Sequence, residues 1–270
     1  MSATKVRIGT DCSGTDGPVI ALRGTEVCTA GRIRISHKFS CDSCPSAREF
    51  IRANHKPKFI YDDILNRDHS KVPPVDVYVV GWPCQPWSML GLKKGFADKR
   101  ASVYKSVIKT LKKGKIKSFV LENVGALASH EGGKSLERVL SDLRSSGYSV
   151  QCKKYMTSDF GIPQKRPRLY FMGVHNSVGK VPRMPSPPRS AVRPLSDLLD
   201  DERGPRNARP AADRQGTCCR NLRMALKRLK KHGVDPARET WAIDVDPGAS
   251  RRRPPSLVHL GAMRLPGAEG

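Results

Sequence analysis

The stretch VDVYVVGWPCQPWS, Val75 to Ser88, joins a β-branched apolar run to a turn that carries one cysteine between two prolines. The run predicts a buried parallel strand that ends at the turn. Ligands of open α/β sheets bind at the carboxyl ends of strands, so Cys84 lies where an activated nucleophile belongs. Because Pro83 and Pro86 fix a non-helical turn, ordinary packing is the less favoured role for this cysteine.

Short β-rich runs alternate with helical patterns from Lys5 to Val174. The predicted strands are Val6 to Thr10, Lys38 to Cys41, Lys58 to Tyr61, Val75 to Val80, Lys117 to Leu121, Ser149 to Tyr155 and Arg168 to Val174. The predicted helices are Pro18 to Leu22, Pro45 to Ala53, Ser102 to Lys112 and Lys134 to Ser145. This alternation predicts an α/β fold with a doubly wound, mostly parallel sheet.

The sequence is strongly basic, with 49 Lys and Arg against 25 Asp and Glu and a formal net charge of +24. Such an excess indicates a polyanionic partner, most simply nucleic acid, although a merely solvated basic surface is the alternative. Ten basic residues and one acid lie between Lys93 and Lys117. We expect this run to draw a polyanion towards Cys84.

Targeting signals and metal motifs are weak. The N-terminus has no apolar signal region, and no stretch approaches the ~20 apolar residues of a membrane span, so we expect a soluble intracellular protein without membrane contact.

Eight cysteines in such a chain argue against a disulfide framework. Cys41 and Cys44 have metal spacing with His37 nearby, but the second pair of a zinc site is missing, so we predict no metal.

The composition changes in the last third of the chain, where residues 180–270 hold twelve of the 21 prolines. This part lacks the apolar content for an independent core, and Leu222 to Leu229 is its one helical pattern. We therefore predict a catalytic domain over residues 1–175. Residues 176–270 are then a poorly ordered basic extension that grips nucleic acid.

Polar residues follow the first three predicted strands. The segment TDCSGTDG, residues 10–17, forms a strand, glycine turn and helix start typical of a nucleotide site. Asp42 follows the second strand, where a ribose hydroxyl needs an acceptor, and Asp63 follows the third, where it could face an adenine amino group. A helix cap or a solvated charge is the alternative for each acid.

Two further motifs place charged groups at strand ends. Glu122 has four apolar neighbours in FVLENV (119–124), so we expect a partly buried carboxylate of raised pKa that can protonate a ring nitrogen. Arg166 and Arg168 alternate at the start of a strand and therefore point in one direction. Attraction of phosphate without chemistry is the alternative for these arginines.

Together these motifs resemble those of the C5-cytosine DNA methyltransferases. GWPCQPWS (81–88), LENV (121–124) and GIPQKRPRLYFMGV (161–174) match that family's Pro-Cys, Glu-Asn-Val and Gln-x-Arg-x-Arg motifs in order. The resemblance covers roughly residues 5–175. It implies a Rossmann-like fold that binds S-adenosylmethionine as methyl donor and accepts a cytosine flipped out of DNA.

The resemblance also implies a role for each matching residue. The Cys84 thiolate would attack C6 of cytosine, Glu122 would hold N3 and the exocyclic amine, and Arg166 would contact the base. Asn123 would hold the Pro-Cys turn, and Arg168 completes the catalytic set. The residues implied in cofactor binding are Cys12, Ser13, Gly14, Asp42, Asp63 and Pro83.

The chain departs from the family in two places. Cys12 and Asp16 replace an aromatic residue and a glycine of the first motif, and residues 176–270 contain no match to the family's closing Arg/Gln and Gly-Asn motifs. Two alternatives follow: a tRNA cytosine-5 methyltransferase, or a truncated remnant that binds nucleic acid without methylating it. An active enzyme would need a protein partner or a missing segment to complete the fold. We expect a nuclear location in a eukaryote and a cytoplasmic one otherwise.

Overall fold

The computed structural model describes residues 3–84, 101–188, 191–192, 227, 230–231, 233, 241–243 and 257–259. The chain divides into two compact units, Met1–Val192 and Arg193–Gly270. The second half of the Pro-Cys turn, residues 85–88, lies outside the described residues, as does the helix predicted for Leu222 to Leu229 except for its helical residue 227.

Seven strands of the first unit form one sheet in the order β3-β2-β1-β4-β5-β7-β6. The strands are β1 (Thr4–Asp11), β2 (Ile33–Cys41), β3 (Phe59–Tyr61), β4 (Val75–Gly81), β5 (Ile116–Val124), β6 (Tyr148–Met156) and β7 (Pro167–His175). Each predicted strand is present. The largest extension is at β2, which begins five residues before the predicted Lys38.

The sheet is mostly parallel, as the sequence predicts. Strands β1 to β5 pair in parallel, whereas β7 runs antiparallel to both β5 and β6. The chain builds outward from β1 in one direction and from β4 in the other. The switch point, where ligands bind in such sheets, therefore lies between the carboxyl ends of β1 and β4.

Four α-helices flank the sheet in the described part of the first unit: α1 (Gly17–Cys28), α2 (Pro45–Asn54), α3 (Ser102–Lys113) and α4 (Lys134–Ser145). Helix α4 packs an apolar face on the core, with Val139 and Leu143 fully buried. Helix α1 continues six residues beyond the predicted Leu22, and the hydroxyls of Thr25 and Thr29 donate to carbonyls of the preceding turn. No helix among the described residues is long and apolar enough to cross a membrane.

Cross-strand packing fixes the middle of the sheet. Phe39 on β2 pairs with Gly9 on β1, and Phe119 on β5 pairs with Gly173 on β7. A Cβ atom at Gly9 would lie 2.1 Å from the Phe39 ring, and one at Gly173 would lie 2.2 Å from the Phe119 ring. Both glycines are required so that an aromatic ring can cover the neighbouring strand.

The part assigned to the extension contains structure that the sequence analysis did not predict. Val181 and Met184 donate backbone hydrogen bonds to β6 side chains in the first unit. In the second unit, β8 (Trp241–Ile243) pairs antiparallel with β9 (Leu257–His259). Each has three residues, too few for a period-two pattern to stand out in this proline-rich part of the chain.

Candidate active site

The Pro-Cys turn leaves β4 over a buried tryptophan. Trp82 is 1% exposed and packs against Tyr104 and Phe171 at ring-centroid distances of 5.5 and 5.8 Å. Asn123, which is fully buried at the end of β5, donates a hydrogen bond from Nδ2 to the Trp82 carbonyl oxygen at 3.0 Å. The backbone two residues before Cys84 is therefore anchored from a neighbouring strand.

A cavity of about 380 Å³ opens at the carboxyl edge of the sheet, next to the switch point. It brings together four of the five residues predicted to be catalytic and two of the six predicted to bind the cofactor. Its lining consists of Cys12, Gly81, Trp82, Pro83, Cys84, Glu122, Arg166 and Arg168. The fifth predicted catalytic residue, Asn123, lies behind the cavity wall.

Glu122 is the half-buried acid of the cavity. It pairs with Gly81 of β4 on one side and with Tyr170 of β7 on the other. Arg168 Nε donates to Glu122 Oε1 at 2.7 Å. Burial raises the pKa of Glu122, and the guanidinium groups of Arg168 and Arg166 only partly oppose this. Glu122 thus binds a proton more readily than an exposed glutamate would.

Arg166 and Arg168 both line the cavity, as their alternation predicts. Arg168 lies in β7 and is largely covered, whereas Arg166 precedes the strand and is exposed. The Arg166 backbone is held by Thr157, whose Oγ1 accepts from the Arg166 amide at 3.1 Å. One guanidinium is therefore fixed on Glu122 and the other is free to reach a substrate.

The structure describes the second part of the Lys93 to Lys117 run, from residue 101 onward. Lys105 and Lys109 lie on the exposed face of α3, and Lys113 to Lys117 lead into the start of β5. Since β5 is parallel to β4, its start lies at the edge of the sheet opposite Cys84. Lys93, Lys94, Lys99 and Arg100 lie outside the described residues, so the expectation that the run draws a polyanion towards Cys84 stays a prediction.

The loop after β1 is tied to the end of β2. Ser13 Oγ accepts from the Cys41 amide and donates to the Cys41 carbonyl, both at 3.1 Å. The Gly14 amide donates to Asp42 Oδ2 at 2.8 Å, and the Cys44 amide donates to Asp42 Oδ1 at 2.9 Å. Ser13, Gly14 and Asp42 thus shape the loop beside the cavity instead of lining it.

Asp63 plays a similar part after β3. Its carboxylate accepts from the Leu65 amide at 2.8 Å and from Asn66 Nδ2 at 2.9 Å. Both acids therefore accept bonds from residues two or three positions further along the chain, and neither caps a helix. Each carboxylate oxygen keeps a further lone pair for a ligand hydroxyl or amine.

The structure explains why the position of a family glycine can be occupied by Asp16. Its backbone is left-handed, with φ of 57°, a conformation that ordinarily favours glycine or, less often, Asp and Asn. Its buried carboxylate accepts from Thr10 Oγ1 at 2.7 Å and from Ser40 Oγ at 2.6 Å. Two buried hydrogen bonds offset the cost of the strained backbone.

A buried ion pair beneath the loop was missed by the sequence analysis. Arg67 donates to Asp11 Oδ1 at 2.6 Å and also contacts Oδ2, while Tyr78 donates to the same carboxylate. Arg67 further donates to Thr110 of α3 at 3.0 Å. Arg67 and Asp11 are 56 positions apart, so no local pattern signals the pair.

The charges around Cys12 suit a cationic ligand. Burial raises the pKa of Cys12 to about 12, and Asp11, Asp42 and Asp63 add to this shift. Cys12 therefore stays a neutral thiol. A Cβ added to Gly14 would meet no atom within 4 Å, which leaves space beside the acids. A sulfonium group with a ribose and an adenine fits this arrangement of acids, open space and adjoining cavity.

No cluster of three or more His, Cys, Asp or Glu side chains suited to a metal ion occurs in the part of the chain that the structure describes. Cys41 is buried whereas Cys44 is exposed, so the pair with metal spacing does not present two thiols to one point.

The sheet order with one antiparallel strand and a site at its switch point define an α/β fold of the methyltransferase class. A family model of the C-5 cytosine-specific DNA methylases matches residues 12–244. The chain belongs to that family, and the Rossmann-like fold expected from its motifs is confirmed.

Curated bacterial relatives share part of the chain. Type II methyltransferase M.NgoBI of Neisseria gonorrhoeae is 36% identical over 180 residues, which cover 64% of this chain and 56% of the relative. Type II methyltransferase M.NlaX of Neisseria lactamica is 38% identical over 138 residues, which cover 51% and 44%. The chain thus spans about half the length of the curated relatives it matches.

Two solved structures have the same fold. The methyltransferase EhMeth of Entamoeba histolytica superposes with a TM-score of 0.58 at 18% identity, covering 77% of this chain and 64% of that one. The Dnmt2 methyltransferase of S. pombe gives a TM-score of 0.53 at 20% identity, covering 74% and 62%.

Proposed function

We propose that the protein is a DNA (cytosine-5-)-methyltransferase that uses S-adenosylmethionine. One observation carries the proposal: a single cavity contains Cys84, the Glu122–Arg168 pair and Cys12 of the β1 loop. A nucleophile, a proton-holding acid and the edge of a cofactor loop thereby face one space. The family membership of the chain supports the same reaction.

The cofactor-binding side consists of Cys12, Ser13, Gly14, Asp42, Asp63 and Pro83. Asp42 would accept from ribose hydroxyls and Asp63 from the adenine amino group, while the loop of Cys12 to Gly14 would approach the methionine portion. Pro83 would close this side next to the turn. The cofactor, when bound, supplies a methyl group activated by its positive sulfonium.

Cys84 starts the chemistry on a cytosine flipped into the cavity. Its thiolate forms a bond to C6, and the electron pair moves to C5, which then takes the methyl group. Glu122 donates its proton to N3 and accepts a hydrogen bond from the exocyclic amine, and Arg166 contacts the base. Loss of the C5 proton and expulsion of the Cys84 thiolate then release 5-methylcytosine and restore the enzyme.

Arg168 and Asn123 act through other residues in this scheme. Arg168 would keep the Glu122 carboxyl group in place by the 2.7 Å hydrogen bond. Asn123 would hold the turn through the Trp82 carbonyl. Both are positioning residues, since neither needs to touch the reacting carbons.

We assign the chemistry to residues 1–175 and contacts with DNA to the basic residues of 176–270. The +24 charge supports a DNA partner through phosphate neutralisation. A protein partner or a further segment would complete the closing part of the fold. Nuclear or cytoplasmic location and the absence of a metal remain predictions.

Trapping on DNA that contains 5-fluorocytosine tests the proposal. Fluorine at C5 cannot leave as a proton does, so the thiol adduct accumulates on Cys84. We expect a covalent complex with the wild type and none with Cys84→Ser. Cys28→Ser, which removes an exposed cysteine on α1, is the matched control and should trap normally. Trapping by the Cys84→Ser variant would remove this cysteine from its role.

Two further measurements separate the alternatives. Methyl incorporation from labelled S-adenosylmethionine should favour DNA over tRNA, and the opposite ratio would indicate the tRNA enzyme. Calorimetry on the folded protein should give heat on addition of S-adenosylmethionine. A folded protein that gives none would be the remnant that only binds nucleic acid.

A further inference from the structure

A second cavity, of about 420 Å³, lies beside the first at the carboxyl edge of the sheet. The two cavities share Arg166 and Arg168 as a common wall. The other walls are mainly apolar and aromatic, and they include Tyr155, Phe160, Ile162 and Tyr170. Nothing in the proposed methyl transfer uses this space.

The aromatic walls are held in place by contacts among themselves. The Tyr155 ring lies edge-on to Phe160 at 5.4 Å and to Tyr170 at 5.7 Å between centroids. Tyr155 Oη donates to the Pro185 carbonyl oxygen at 2.5 Å, which fixes the ring. The cavity therefore presents rigid rings, which lose little entropy when a flat group packs on them.

Two wall residues are exposed although they are apolar. Phe160 and Ile162 are 40% and 45% exposed, and both lie in the turn between β6 and β7. An apolar patch that adjoins a cavity and is rimmed by charge marks a binding surface. The volume of the second cavity lies in the range of pockets that bind small ligands.

The chemistry of the walls selects a nucleotide. Aromatic rings stack on bases whatever their sequence, and arginines bind phosphate through charge-assisted hydrogen bonds. Arg166 is exposed on the wall between the cavities, where the backbone phosphate that joins two nucleotides would pass. Because the wall is shared, occupants of the two cavities would be neighbours, as successive nucleotides of one strand are.

We propose that the second cavity binds the base adjacent to the flipped cytosine on the same strand. The inference rests on the proposed function, because it takes the first cavity as the cytosine site. Flipping removes the stacking partner of the adjacent base, and the rings of the second cavity replace that partner. The site is a stacking subsite, so it accepts any base.

Photocrosslinking within the trapped complex tests the subsite. The probe is a duplex with random flanks, one 5-fluorocytosine, and 5-iodouracil placed either 5′ or 3′ of it. We expect one of the two placements to crosslink to Tyr155, Phe160 or Tyr170 after trapping on Cys84. Complete trapping with crosslinks only to other residues would overturn the subsite alone. Failure to trap would overturn the proposed function and the subsite together.

A variant pair makes the result quantitative. Phe160→Ala combined with Ile162→Ala should lower the crosslinking yield about tenfold, the effect of losing one stacked base. Val178→Ala is the control, since it removes an exposed apolar side chain beyond the end of β7. When an abasic residue replaces the adjacent base, the affinity of the wild type for the trapped DNA should fall by a similar factor. The affinity of the double variant should be the same for intact and abasic DNA. Equal losses in both proteins would contradict the proposal.

Discussion

The Arg168 guanidinium and the Glu122 carboxylate form a hydrogen-bonded pair, with Nε and Oε1 2.7 Å apart on adjacent antiparallel strands. The pair sets both the position and the pKa of the Glu122 carboxyl group. It fixes where the carboxylate lies in the cavity, and it holds the pKa of Glu122 below the value that burial alone would produce.

Replacement of Arg168 should therefore change both rate and pH dependence. In Arg168→Ala the pKa of Glu122 rises further, so the alkaline limb of the pH–rate profile should move to higher pH. The unanchored carboxyl group should lower kcat by about 10²-fold or more, the scale of a displaced acid catalyst. Methyl transfer measured across pH checks this, with Arg168→Lys as the charge-preserving variant and exposed Arg144→Ala as the control. A normal rate and an unmoved profile would contradict the role.

Asn123 should matter for stability as well as for activity. Asn123→Ala removes the hydrogen bond from Nδ2 to the buried Trp82 carbonyl, which costs about 1–3 kcal/mol in the free energy of unfolding. Urea unfolding measures the loss, and kcat should fall as the Pro-Cys turn loosens. Asn54→Ala removes a comparable bond to the Phe50 carbonyl at an exposed position and should change little. Equal effects of the two substitutions would refute the anchoring role.

The left-handed backbone at Asp16 distinguishes two substitutions that remove the same carboxylate. Asp16→Ala and Asp16→Gly both lose the bonds from Thr10 and Ser40. Glycine also relieves the strain at φ of 57°, so the Gly variant should be more stable than the Ala variant by about 1 kcal/mol. Denaturant midpoints of the two variants decide the point. An Ala variant as stable as the Gly variant would show that the position is not strained.

His69 gives the protein a stability that depends on pH. Burial lowers its pKa to about 4, and the charges of Arg67, Lys109 and Lys113 add to the effect. The folded protein therefore keeps His69 neutral while the unfolded chain binds a proton below its ordinary pKa of 6.5. The contribution of neutral His69 to the free energy of unfolding is therefore complete above pH 6.5 and is lost as pH falls towards 4.

The expected result is a shallower decline in the free energy of unfolding between pH 6.5 and 4 for His69→Gln than for the wild type. Glutamine preserves a polar partner for Thr110 Oγ1, which lies 2.8 Å from His69 Nδ1. Denaturant unfolding at several pH values measures both slopes. Identical slopes would exclude His69 as a source of the pH dependence.

Local sequence determined the elements and the positions of the reactive groups along them. The run of residues 75–80 can only pack as a strand, and its flanking glycine and prolines end it, so Cys84 follows a strand end whatever the rest of the chain does. The same local logic placed Glu122 and the acids after β2 and β3 at strand ends. Periodicity, turn residues and motif spacing depend on neighbours within about ten positions, so the sequence alone is enough to recognise them.

Tertiary structure alone decided which of these groups meet. The insertion of β7 between β5 and β6 brings Arg168 onto Glu122, and the sheet order places Lys113 to Lys117 far from Cys84. The Arg67–Asp11 pair and the shared wall of Arg166 and Arg168 arise in the same way. Such contacts join residues tens of positions apart, and their free energy depends on packing and burial that exist only once the sheet has formed. Sequence therefore fixed the chemistry available at the Pro-Cys turn, and the sheet fixed its partners.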